Sequence, residues 1–157
     1  MFDFLKRKKH IKSAGVYQHP DVLIIHAQVR APAGFLVSSA PVFKLYSNAT
    51  AQEIGAALRQ ALSQFQDRPR NPDEWMTLRS NFLKATGFRS WRRLESQAKS
   101  CWIEQEEAVV FTPFRNGGTR GAKKGFQPFG ANEIEVPSDG DDAALGRALV
   151  EALSVCE

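Results

Sequence analysis

The string "IGAALRQALS" at residues 54–63 returns as "LGRALVEALS" at residues 145–154. Aligning Ser47 with Ser138 keeps the two in register without a gap: Ile54 meets Leu145, Gly55 meets Gly146, Leu58 meets Leu149 and Leu62 meets Leu153. Apolar residues at 54, 58, 61, 62 and 65, and at 145, 149, 152, 153 and 156, recur at helical spacing. The pattern predicts two equivalent helices, over 50–65 and 141–155. Thr50 with Glu53 gives the first a T-x-x-E capping box, and Ser138 with Asp141 gives the second a weaker S-x-x-D version. A glycine inside a helix costs roughly 1 kcal/mol against alanine. Its recurrence at one place in both copies predicts close approach to another backbone, at equivalent places against the sheets.

Upstream of the first helix lie "GVYQ", "VLIIHAQVR", "FLVSS" and "VFKLY"; upstream of the second lie "SCWIEQ", "AVVFTPF", "GFQPF" and "NEIEV". Each set reads as four short strands separated by turn residues. The expectation is therefore an α+β fold of two antiparallel four-stranded sheets with helices, an internal duplication about a pseudo-twofold axis. The organisation predicted is a basic tail at 1–12 and a single domain at 13–157, with half-repeats 13–65 and 100–157 around a helical insert, 66–99. In the insert, Asn71 as N-cap and Pro72 at the first helical position open a helix that Gly87 ends, and "SWRRLESQ" makes a second, shorter turn. The insert should bridge the halves and plug the core with its aromatics. Trp75, Leu78, Phe82, Leu58, Leu62, Leu149 and Leu153 are the expected core.

Composition narrows the class. The 157 residues are 43% hydrophobic and 24% charged, which suits a packed globular domain. No apolar run approaches the ~18–20 residues that span a bilayer, and "MFDFL" followed by lysines is no export signal. Cys101 and Cys156 form neither a metal spacing nor a disulfide framework, which points to the cytoplasm. His10, His19 and His26 show no ligand pattern, so no metal or cofactor is expected. The net charge of +4 resides in the tail: Lys6, Arg7, Lys8, Lys9 and Lys12 outnumber Asp3 by four, leaving the rest neutral. A solvated tail is the favoured reading.

No nucleophile elbow or metal-holding carboxylate set appears, so a binding protein is expected rather than an enzyme. Asp139, Asp141 and Asp142 suit a helix N-terminus without further purpose. "NGGTRGAKKGF" (116–126) could offer backbone N–H groups and the cations Arg120, Lys123 and Lys124 to phosphate, but it is no P-loop; a mobile hairpin loop is the preferred reading. In "GFRSWRRLESQAKSCW", Arg89, Arg92, Arg93 and Lys99 stand near Trp91 and Trp102. That pattern suits a single-stranded nucleic-acid clamp, or else buried tryptophans with solvated arginines around them.

The run "GFRSWRRLESQAKSCWIEQEEAVVFTPFRN", with "GFQPF" and a final "LGRALVEAL" helix, resembles the immunity proteins of contact-dependent growth inhibition (CDI) systems, the CdiI family. The resemblance runs from about Pro41 to Glu157. It implies a cytoplasmic antidote whose partner is the cognate C-terminal toxin domain of an exported effector, often a tRNA-cleaving nuclease. It also implies a Whirly-like fold, and that Ser90 and Trp91 are structural. No membrane or small-molecule partner is implied, and nucleic acid is the less favoured one. An inhibitor commonly opposes a basic groove with carboxylates. The expected toxin contacts are thus Glu104, Glu106 and Glu107, followed by the basic loop with Arg115, Arg120, Lys123 and Lys124.

Overall fold

The structure, a computed structural model, describes residues 11–67 and 72–157. The basic tail up to His10, and Asn71 as an N-cap, lie outside the described residues. Strands β1 (Lys12–Gln18), β2 (Val22–Arg30) and β3 (Leu36–Tyr46) form a meander that leads into helix α1 (Ala51–Ser63). The insert supplies a two-residue strand β4 (Gln66–Asp67), α2 (Pro72–Thr86) and α3 (Trp91–Glu95). Then come β5 (Cys101–Gln105), β6 (Ala108–Asn116), β7 (Phe126–Pro128), β8 (Ile134–Pro137) and α4 (Asp142–Ser154).

The strands make one eight-stranded sheet, not two of four. Its path is β3-β2-β1-β5-β6-β7, with β8 beside β6 and β4 beside β2. The reason lies at the seam, where β1 pairs antiparallel with β5 (Lys12 with Gln105, Ser13 with Glu104, Ala14 with Ile103). Two meanders that each ended there would leave unpaired backbone edges; joined, they satisfy each other. The seam therefore joins the halves directly, while the insert also touches both, through β4 on β2 and through the Glu95 and Ala98 carbonyls on Asn116.

The first half also holds three principal strands, not four. "FLVSS" and "VFKLY" belong to one strand, β3, which runs through a cis Ala40–Pro41 peptide. His26 pairs with Val42 and Ala27 with Ser39, so Ala40 and Pro41 fall in an irregularity of the ladder. Proline has no N–H to donate, and a bulge asks for none.

Helices α1 and α4 lie together over one face of the sheet. Thr50 caps α1 by accepting from Glu53 N (3.1 Å). The cap of α4 is Asp141, accepting from Ala144 N (2.8 Å), whereas Ser138 turns away to donate to the Glu106 carbonyl. Ser138 is thus not the capping residue, because the carboxylate three residues later already reaches the open N–H. Gly55 lies against the backbone of Asp142, and Gly146 against the backbone of Ala51. The close approach is between the helices, not onto the sheet. Arg59 ties the pair, donating from Nε to Asp142 (2.7 Å) and from its terminal nitrogens to the carbonyls of Ser138 and Gly140. Under the helices Val16, Ile25, Ile103, Val109 and Phe111 meet Leu58, Leu62, Leu145, Leu149 and Leu153, all buried.

The opposite face is only partly covered. There Phe82 and Leu94 of α2 and α3 pack on Ile24, with Tyr17, Val42 and Trp91 around them. Trp75 and Leu78 are half-buried rather than core residues, since α2 covers this face mainly through Phe82; Trp75 meets Phe35 edge-on at 5.0 Å. Gly87 (φ 80°) ends α2 in the left-handed region.

Candidate functional site

Alternation along β1, β2, β5 and β6 sends every second side chain to the partly covered face. Beyond the edge of α2 and α3 this face is open, and it forms three adjoining recesses. The first, about 350 Å³, lies between α2, α3 and β3 and includes Tyr17, Gln28, Phe35, Trp75, Arg79 and Glu95. The second, about 300 Å³, shares Tyr17 and Gln28 and adds Gly15, His26, Trp102, Phe114 and Phe126. The third, about 480 Å³, shares Trp102 and adds Glu104, Val110, Thr112, Pro128 and Glu133. Phe35, Met76 and Trp102 stay exposed along this groove.

The polar groups within it are incompletely paired. His26 is buried against Phe82 (4.5 Å) and stacked on Tyr17 (5.6 Å). It fits because Gly15, opposite it in the ladder, has no side chain; a Cβ there would overlap the imidazole. Burial lowers the His26 pKa to about 4, with the hydrogen bond to the Ala27 carbonyl (2.9 Å) opposing. The ring is therefore neutral at pH 7. Its Nε2 and the Gln28 side-chain oxygen have no hydrogen-bond partner, nor has Ser13 Oγ. Burial also pushes the Tyr17 hydroxyl up, with the charge of Glu95 adding. Glu95 is itself raised by burial against the opposing pull of Arg79.

The structure places Glu104 on this face. Burial raises its pKa; Arg30 opposes, and repulsion from Glu133 and Glu106 adds. Glu106 and Glu107 lie exposed in the β5–β6 turn, which is closed by the Glu106 N–H donating to the Ala108 carbonyl. The basic residues sit at the opposite end of β6. Arg115 is paired with Glu157 (2.9 Å) and stands over the Phe129 ring. Arg120, Lys123 and Lys124 are exposed on the β6–β7 hairpin loop. That loop is cross-braced by Gly117 and Gly125 backbone bonds, and Asn116 Nδ2 anchors its base to the Glu95 and Ala98 carbonyls (2.8 Å each). The expected contacts thus form two clusters a strand apart.

Sequence reasoning noted only that His26 lacks a ligand pattern, and passed over Gln28, Gly15 and the groove itself. Two signals were present: polar residues two apart inside the apolar run "VLIIHAQVR", and a glycine inside a strand, which marks a close approach. The basic-aromatic segment is divided by the fold. Trp91 packs on Phe82 (5.3 Å) and carries the Arg79 guanidinium 4.2 Å over its ring, while Trp102 faces the groove. Cys101 and Cys156 are free and buried, the latter's thiol donating to the Ser100 carbonyl (3.1 Å). Among the described residues no His, Cys, Asp or Glu cluster suits a metal, and no helix is long and apolar enough to cross a membrane.

The half-covered sheet thus bears an open, partly apolar groove large enough to take side chains of another molecule. The family model described as "CDI immunity protein" (CdiI) matches residues 12–156, and the chain belongs to that family. No curated relative matches the sequence. Among solved structures the chain is similar to a protein of unknown function from Neisseria meningitidis: TM-score 0.75, 18% identity, 95% of this chain and 97% of that one. It is also similar to a chain of a CdiA-CT/CdiI toxin and immunity complex from Yersinia pseudotuberculosis: TM-score 0.73, 15% identity, 94% of this chain and 98% of that one. At these identities the likeness is one of fold.

Proposed function

We propose that this protein is a cytoplasmic antidote that binds the cognate C-terminal toxin domain of a CDI effector and blocks it without turnover. The observation that carries the reading is the family match over residues 12–156, on a fold that also occurs in a toxin and immunity complex. The toxin is read as a tRNA-cleaving nuclease. Such an enzyme must offer cations to phosphate, and Glu104, Glu106 and Glu107 offer the complement. Arg115, Arg120, Lys123 and Lys124 form the secondary contact. Reversing the three glutamates to lysine should weaken binding, slow association and alter its salt dependence; neutralising Arg120, Lys123 and Lys124 should do less.

The decisive experiment titrates this protein against the purified toxin domain acting on total tRNA. Suppression should be complete at one equivalent and stop there. Inactivation of excess toxin would instead mean catalysis.

The same reading takes the two halves as copies of one unit. Its support is that β7 and β8 lie along β6 as the two ends of β3 lie along β2, and that Gly55 and Gly146 exchange equivalent contacts. Matched substitutions in the two helices should then cost alike.

A further inference from the structure

Trp102 and Glu104 alternate on β5, so both project from the open face while Cys101 and Ile103 fill the core behind them. The recess they line with Val110, Thr112, Pro128 and Glu133 has a definite chemistry. Trp102 is 42% exposed, although tryptophan gains more than most side chains from burial. Thr112 Oγ1 donates to Glu133 (3.3 Å) and so orients its carboxylate. Arg30, a cation that acts on Glu104, holds its guanidinium over the Phe65 ring. Two carboxylates, an indole wall and apolar Val110 and Pro128 complement an alkyl stem that ends in a cation.

A second, independent feature adjoins it. The neighbouring recess shares Trp102 and includes His26, which is 1% exposed. Its Nδ1 faces the Ala27 carbonyl and takes the donor role, which leaves Nε2 an acceptor without a partner. The Gln28 side-chain oxygen is a second such acceptor. An unpaired buried acceptor is costly, and a donor that reaches it, from water or from a docked chain, removes that cost.

Building on the antidote role proposed above, we infer that the toxin docks on this open face. It inserts a lysine or arginine side chain between Glu104 and Glu133, with the stem against Trp102, and turns further hydrogen-bond donors of the same segment toward His26 and Gln28. The centre of contact is then the groove; the Glu106–Glu107 turn and the basic loop are its periphery.

The test measures calorimetric binding of the purified C-terminal toxin domain of the cognate effector, at low and physiological salt. The proteins compared are wild type, Trp102→Ala, the double variant Glu104→Gln/Glu133→Gln, and a helix-face variant, Glu53→Gln/Glu151→Gln, at exposed positions of α1 and α4. Both groove variants should bind at least about tenfold more weakly, as loss of an interface anchor does, while the helix-face variant stays within about threefold. An alanine scan of the toxin's lysines and arginines should find one whose loss adds nothing to the groove double variant. Thermal melting of each variant verifies folding, and none of the altered residues belongs to the core. Wild-type binding that both groove variants retain would overturn the inference and leave the antidote role standing. Failure of wild type to bind any toxin domain would overturn the antidote role itself. A self-association of this chain that Trp102→Ala abolishes would place a second copy on the face and likewise overturn the inference.

Discussion

Gly55 rests against Asp142 so closely that a methyl group at residue 55 would overlap the Asp142 carbonyl oxygen. The same holds for Gly146 and the carbonyl of Ala51. Helix propensity alone would make either Gly→Ala change favourable by roughly 1 kcal/mol. Overlap with a backbone atom in a packed interface costs about 1–3 kcal/mol or more, so both substitutions should be net destabilising. Urea denaturation of Gly55→Ala and Gly146→Ala measures this, and a stabilised variant would mean that the helices stand apart.

Leu58 and Leu149 are both 0% exposed and meet between the helices and the sheet. Truncating either to alanine should cost about 2–5 kcal/mol, because the close helix contact limits collapse around the cavity. Losses below that range at both positions would place α1 and α4 at the periphery.

Arg59 reaches Asp142 and the carbonyls of Ser138 and Gly140 from one guanidinium. Its side chain is 39% exposed, so solvent screens the charge and the hydrogen bonds carry most of the effect. Arg59→Ala should cost about 1–2 kcal/mol by chemical denaturation. Arg59→Lys should recover little of it, since a single ammonium does not span three acceptors in that geometry.

His26 predicts an acid limb in the stability profile. Its pKa is 6.5 in the unfolded chain and about 4 in the fold, so the unfolded state binds the proton first as pH falls. The contribution is fully present above pH 6.5 and is lost as pH falls toward 4, by about 3 kcal/mol in total. Denaturation of wild type and His26→Gln between pH 7.5 and 4 separates this component. If the variant shows the same slope over that window, His26 does not titrate as its burial requires.

The helix pair was legible because both its signals are local: spacing that marks the buried stripe, and a glycine where a neighbour leaves no room. Leu58, Leu62, Leu149 and Leu153 are buried as their periodicity requires. The sheet was legible strand by strand but not as an assembly. Nothing in "KSAG" or "CWIEQ" announces that β1 pairs with β5, because residues that join distant segments leave no periodic mark on either. Pro41 misled for a physical reason: within a strand it signals a break, unless the ladder there has a bulge to receive it. The groove was hidden for a similar reason. Trp102, Glu104 and Glu133 converge only once β5, β6 and the segment before β8 are laid side by side, and His26 reads as a core histidine until its unpaired nitrogen is seen.

The helix α4, which closes the core through Leu145, Leu149 and Leu153, is made after every strand it covers. On the ribosome, where residues are added at roughly 5–20 per second, α1 is in place to cover Ile25, but the part of the face on β6 that bears Val109 and Phe111 waits for α4. A chain interrupted before residue 142 therefore holds a half-bare apolar sheet, prone to aggregation and open to proteolysis. Folding of the second half of the sheet is thereby gated by the synthesis of α4, and fragments that stop before it add nothing to the working protein.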